Sequence, residues 1–205
     1  MKKIMFNDKY CLTQAVLTGV KTMTRRKFAR FRPDARMFDE ICNIEGGFDD
    51  KGRYIFTLYN ENGDIIGDMI PHYNVGEVVA IAQPYKDIYP NADFEMVGDG
   101  FMKESAGWTN KMLVRANLMK RHIRITDVKV ERLQDISDED ILREGVWQFY
   151  DNKKLFYVSK NIGYAPDVAF LTAREAFWFL IDKVSGKGTW ESNPFVVAYS
   201  FELVD

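Results

Sequence analysis

The stretch of this chain with the most chemical content is Gly19-Val20-Lys21-Thr22-Met23-Thr24-Arg25-Arg26. A threonine hydroxyl is a poor nucleophile until a nearby base takes its proton, and a desolvated lysine with a lowered pKa is such a base. Neighbouring arginines help to keep Lys21 neutral, and they also bind phosphate or a developing oxyanion. Geometry sets a condition on the pair. Residues three apart share a face in a turn or helix but oppose each other in an ideal strand, so Lys21 and Thr24 cooperate only if the chain bends after Gly19. The alternative is a basic strand or loop whose hydroxyls and guanidinium groups hold phosphate without reacting with it.

Charge is distributed unevenly around this stretch. The whole chain of 205 residues has a net charge of −2, yet residues 1–36 hold ten Lys/Arg against Asp8 and Asp34, a balance of +8. The rest holds the other 18 basic and 28 acidic residues, a balance of −10. An anionic partner met by the N-terminal segment is the reading this suggests. A second basic run, Lys103 to Arg132, points the same way, although a solvated face has the same composition. With 46% hydrophobic and 28% charged residues the chain reads as one domain, 1–205, enlarged by insertions. Its apolar runs are too short to span a bilayer, and Met1-Lys2-Lys3-Ile4 has no signal-peptide core, so a cytoplasmic protein with no membrane contact is expected. Cys11, Cys42, His72 and His122 form no ligand cluster, so neither metal nor cofactor is expected. Ser185-Gly186-Lys187-Gly188-Thr189 lacks the spacing of a phosphate loop and reads as a turn closing a helix.

Several elements must hold the Lys21 to Arg26 segment in place. Ile4 to Phe6 reads as a strand, and Thr13 to Thr18 as a short helix closed by Gly19. Asn60-Glu61-Asn62-Gly63 between two β-prone runs, Arg53 to Tyr59 and Asp64 to Ile70, is a hairpin signal. Val78 to Ala82 is a short buried strand, whereas 84–118 is broken by Pro and Gly and reads as an irregular insertion. In His122 to Leu133 the apolar parity switches between Ile123/Ile125 and Val128/Val130, which predicts a bulge near Thr126-Asp127. Ser137 to Asp140 and Thr172 to Glu175 open helices, closed by Gly145 and followed by Gly186. Phe195, Val197, Tyr199, Phe201 and Leu203 alternate as in a half-buried strand. The sum is α+β, built around a curled sheet. Tyr73, Trp108 and Trp190 are candidate stacking platforms for bases, while Phe177, Trp178, Phe179, Phe195 and Phe201 sit at packing positions.

The chain resembles ASCH-domain proteins, relatives of the PUA-like RNA-binding fold, and in particular the longer members from bacteriophages and prophages. The resemblance rests on Ile4 to Asn7, Gly19 to Arg26, Tyr73 to Val78, Ile123 to Ser137, Glu144-Gly145 and Trp190 to Phe195, in one order along the chain. It implies a small β-barrel with flanking short helices, with insertions at about 30–70, 84–118 and 147–170. It also implies a cleft for an RNA or nucleotide ligand. One bacterial branch of the group hydrolyses N(4)-acetylcytidine with a lysine, a threonine and a glutamate, which fall here on Lys21, Thr24 and Glu144. In those roles Thr24 attacks the amide carbonyl, Lys21 takes its proton, and Glu144 orients Lys21 or assists the leaving amine. Thr22, Arg25, Arg26, Tyr73, Arg124, Trp108, Trp190 and Asn193 are the candidate ligand contacts. The alternatives are an RNA-binding module without catalysis, and a phage or prophage accessory protein that binds a host or virion protein through its insertions.

Overall fold

In the computed structural model the described residues are 1–27, 40–90, 105–148, 154–158 and 169–205. The chain opens with β1 (Lys3–Ile4) and a single 3-10 turn, then α1 (Leu12–Leu17), whose Leu12 and Val16 face the core. Gly19, at φ 72°, reverses the chain, and the Val20 and Lys21 amides both donate to the Ala15 carbonyl oxygen at 2.9 Å. The expected bend is thus present. It delivers the chain into β2 (Met23–Lys27).

Next come β3 (Asn43–Phe48), β4 (Tyr54–Tyr59) and β5 (Ile65–Met69), an antiparallel sheet of their own. The Asn60 side chain accepts from the Asn62 and Asp64 amides, and Gly63 sits at φ 81°, so the predicted hairpin turn is built by Asn and Gly. After β6 (Val78–Ile81), the described part of the 84–118 region contains α2 (Tyr85–Ile88) and three isolated 3-10 turns. Tyr85, Ile88, Val114 and Met119 form a small second core with Ala80 and Ala82. The chain continues through β7 (His122–Arg132), α3 (Asp138–Arg143), β8 (Trp147–Gln148), β9 (Phe156–Tyr157), α4 (Ala173–Ser185) and β10 (Phe195–Leu203). Much of the expected 147–170 insertion, and parts of those at 30–70 and 84–118, lie outside the described residues.

The fold is mixed α+β. Its central sheet has the order β1-β6-β7-β10-β2, with β1 and β6 parallel and the other neighbours antiparallel. Among the described residues this sheet is open, with β1 and β2 as its edges, where a closed small barrel was expected. The β1 ladder is only two residues long, and a side chain spans the remaining gap: Arg26 Nη2 donates to the Met5 carbonyl oxygen. No helix among the described residues is long and apolar enough to cross a membrane.

Two details of β7 and β10 decide which residues reach the core. Ser200 pairs with Asp127 and Phe201 with Ile125, so Thr126 is the extra residue of a bulge. Ile123, Ile125, Val128 and Val130 consequently all share the apolar face of Tyr199 and Phe201, as the parity switch demanded. β10 differs from expectation. Val196, Ala198 and Ser200 are also buried, so it is covered on both faces rather than one. The cause is its central position between β7 and β2, with Arg143 of α3 donating to the Ser200 hydroxyl on the second face. On the first face α4 packs Ala176, Phe177, Leu180 and Ile181 into the main core, started by a reciprocal capping box between Thr172 and Glu175.

Gly145, beyond the end of α3, has φ 102°, and a Cβ there would stand 3.1 Å from Leu12 Cδ2 and 3.6 Å from Lys21 Cδ. Gly145→Ala is expected to lower the unfolding free energy by roughly 1–3 kcal/mol through this backbone strain, measurable by urea denaturation.

Candidate functional site

As an edge strand, β2 is paired along one side with β10 and leaves its other side to a cavity. The floor and walls come from Met5, Phe6 and Asn7 just after β1, from Lys21 and Thr24 to Lys27, from Glu144 after α3, and from Leu180, Ile181 and Val184 of α4. The cavity, of about 380 Å³, therefore fills the gap between the two sheet edges. Strand alternation divides the β2 side chains. Met23, Arg25 and Lys27 are in register with Ser200, Ala198 and Val196, whereas Thr24 and Arg26 are in register with Tyr199 and Val197.

Lys21 lies at the base of this arrangement, only 2% exposed. Its Nζ donates to Glu144 Oε2 and to the Glu144 carbonyl oxygen, both at 2.6 Å. Glu144 caps the C-terminus of α3, its amide donating to the Asp140 and Ile141 carbonyl oxygens, and the Thr22 amide donates to the Arg143 carbonyl oxygen. The α3 C-terminus and the segment leading into β2 are thereby fastened together around the lysine. Burial pushes the Lys21 ammonium below its ordinary pKa of 10.5, against the pull of Glu144, and Arg26 and Arg25 add to the lowering. The Phe6 ring lies 5.9 Å from Lys21 Nζ and 5.5 Å from the Arg26 guanidinium carbon.

Thr24 lines the same cavity, 5% exposed, and its hydroxyl takes part in no hydrogen bond among the described residues. Lys21 and Thr24 are therefore neighbours in one pocket, but not hydrogen-bonded to each other. A neutral amine has two N–H groups and one lone pair; with both donors committed to Glu144, the lone pair is what remains to accept a proton.

Arg25 is the centre of a second, ionic layer. Its side chain is fully buried, with Nε 2.7 Å from Glu131 Oε1, Nη2 3.1 Å from Asp140 Oδ2 and Nη1 3.1 Å from Glu144 Oε1. Lys129 and Arg143 close the outer side of Asp140 at 2.9 and 3.1 Å. Burial works against the Asp140 charge, but Lys129 and Arg25 outweigh it and hold the carboxyl below its ordinary 3.8. Arg25 borders the cavity, yet its donors are spent on three carboxylates. It fixes Glu144 from one oxygen while Lys21 uses the other.

Lys21, Thr24, Arg25, Arg26 and Glu144 thus come together, and the other candidates do not line the cavity. Thr22 Oγ1 accepts from Arg143 Nε. Tyr73 is in the core, edge-on to Tyr199 with its hydroxyl donating to the Lys3 carbonyl oxygen, and burial pushes its phenol up to about 12. Trp108 packs against the second core. Arg124 is exposed, 3.9 Å from Glu202. Trp190 packs on Phe177, and Asn193 Oδ1 accepts from the Gln134 amide in the turn before β10. Sequence reasoning missed Glu131 and Asp140 as partners of Arg25. Asp140 occupies the capping-box position after Ser137, but its carboxylate turns to the ion network instead of back to the cap, and only the Ser137 half of the box forms. Among the described residues no group of three His, Cys, Asp or Glu side chains is placed to hold a metal ion.

No protein-family model matches this chain, and no curated protein or solved structure matches it significantly.

Removing Arg25 takes the one buried cation shared by three carboxylates, leaving Glu144 to Lys21, Glu131 to Lys129, and Asp140 to Lys129 and Arg143. Arg25→Met is expected to cost roughly 3–5 kcal/mol of stability near neutral pH, read from urea midpoints. Because the folded Asp140 pKa is depressed, the stability it contributes is present above 3.8 and is lost as pH falls through the lower folded value. The gap between wild type and Arg25→Met should therefore narrow in that acid range.

Proposed function

We propose that this chain is a cytoplasmic ASCH-type protein, on a PUA-like sheet, that binds a nucleotide or RNA ligand in the cavity and hydrolyses an amide on a modified base of the N(4)-acetylcytidine kind. The observation that carries the reading is a buried lysine, engaged twice by Glu144, sharing a pocket with a threonine hydroxyl that has no hydrogen-bond partner among the described residues. Neutral Lys21 takes the Thr24 hydroxyl proton as Oγ1 bonds to the amide carbonyl carbon. The resulting Lys21 ammonium lies beside the tetrahedral oxyanion and stabilises its charge. Collapse of that intermediate breaks the C–N bond. The leaving base amine takes the proton back from Lys21, and water then hydrolyses the acyl-threonine ester, releasing the free acid. Glu144 holds the amine in place throughout, and Arg25 holds Glu144.

Incubation of the purified protein with N(4)-acetylcytidine and its 5′-phosphate tests this. Turnover is expected, abolished in Thr24→Ala and reduced about 10²–10⁴-fold in Lys21→Met, the range for loss of a general base. The base acts in its deprotonated form, so kcat/KM should rise with pH and level off below 10.5, because burial lowers the Lys21 pKa. Lys21→Met should lose that limb. No turnover on either substrate, with RNA binding retained, would leave a binding module and end the catalytic reading.

A further inference from the structure

Four cations line the cavity, Lys21, Arg25, Arg26 and Lys27, against one carboxylate, Glu144. Their charges are not balanced alike. Lys21 and Arg25 both face Glu144, and Arg25 has Glu131 and Asp140 besides. Arg26 has no carboxylate within ion-pair distance among the described residues. Its Nη2 donates to the neutral Met5 carbonyl oxygen, and its Nε is buried without an acceptor. Among the described residues Lys27 meets neutral oxygens alone, the Ser185 carbonyl at 3.2 Å and the Thr189 hydroxyl at 3.1 Å. The Phe6 ring, 5.5 Å from the Arg26 guanidinium carbon, holds it against the cavity wall.

A largely buried cation without a counter-ion is costly to maintain unless a ligand supplies the negative charge. A guanidinium with a free N–H edge matches phosphate oxygens, and an ammonium at the rim adds a point charge. Two unmet positive charges equal the charge of a phosphate monoester at neutral pH, about −1.5 to −2, and exceed the single charge of an internal phosphodiester. We infer that Arg26, with Lys27 at the rim, is a phosphate-monoester subsite, so that the ligand is a mononucleotide or a chain-terminal phosphate rather than a free nucleoside. This rests on the cavity being the ligand site proposed above, but not on its being catalytic.

Calorimetric titration of the full chain with inorganic phosphate, cytidine, 5′-CMP, and a cytidine trinucleotide with and without its 5′-phosphate tests the subsite. Phosphate should bind wild type, and 5′-CMP should bind about tenfold or more tighter than cytidine, the scale of a charge-assisted hydrogen bond. Arg26→Gln should erase both effects, and Arg26→Lys should restore part of them, which separates charge loss from misfolding. Lys27→Gln should lower affinity for 5′-CMP but not for cytidine. Preference for 5′-CMP over both trinucleotides assigns the free mononucleotide, and preference for the phosphorylated trinucleotide assigns the chain terminus. Equal affinity for 5′-CMP and cytidine, or a phosphate effect that survives Arg26→Gln, overturns the inference. Arg26-dependent phosphate binding with no amide turnover would overturn the catalytic reading alone.

Discussion

The contact on which the rest of this structure depends is the buried pair between Lys21 and Glu144. An ammonium at 2% exposure is tolerable only if its hydrogen bonds and its charge are both met inside the protein. Glu144 supplies two acceptors from one residue, its side chain and its own carbonyl oxygen. That is possible because Glu144 ends a helix, where carbonyl groups are left without intrahelical partners. The carboxylate then needs a second cation to fix its orientation, and Arg25 provides it. Arg25 in turn draws in Glu131 and Asp140, and Asp140 draws in Lys129 and Arg143. One buried lysine thus accounts for a network joining β2, β7 and α3.

That network occupies one face of the sheet, and the apolar core occupies the other. β10 separates them, which is why both its faces are buried, the second through Val196, Ala198 and Ser200. The bulge at Thr126 is what lets β7 serve both sides. It returns Ile123 and Ile125 to the apolar face shared by Val128 and Val130, and leaves Asp127, Lys129 and Glu131 on the ionic face, opposite Ser200, Ala198 and Val196. A continuous ladder without the extra residue would send one half of β7 to the wrong side. The irregularity keeps both the core and the Arg25 layer intact.

The elements of this fold were legible wherever local chemistry decides: Gly19, Gly63 and Gly145 at positive φ, the Thr172–Glu175 capping box, and the parity switch in β7. So was the association of Lys21, Thr24 and Glu144, through resemblance rather than spacing, since 123 residues separate Lys21 from its partner. What was not legible is the content of the ionic layer. Asp140 follows a serine at cap spacing, and its local role masked its distant one. Tyr73, Trp108 and Trp190 looked available because an aromatic side chain in sequence carries no sign of whether its ring is covered. Here packing covers all three to differing degrees, and Tyr73 most of all.

Arg25 and Arg26 show how much a strand can separate adjacent residues. In sequence they form a single basic patch, and together with Lys21 and Lys27 they suggest a positive surface. Alternation along β2 sends Arg25 to the layer with three carboxylates and Arg26 to the register position of Val197, against the Phe6 ring. The charges of Lys21 and Arg25 are thereby met by acids from the 131–144 region, far along the chain, so half of the positive charge among these four residues is internal to the fold. Among the described residues of the stretch, Arg26 and the rim lysine beside it are the cations left without a carboxylate. For the proposed subsite this arithmetic matters, because counterion release grows with the number of phosphates neutralised, and the two cations left unpaired among the described residues of this stretch neutralise few.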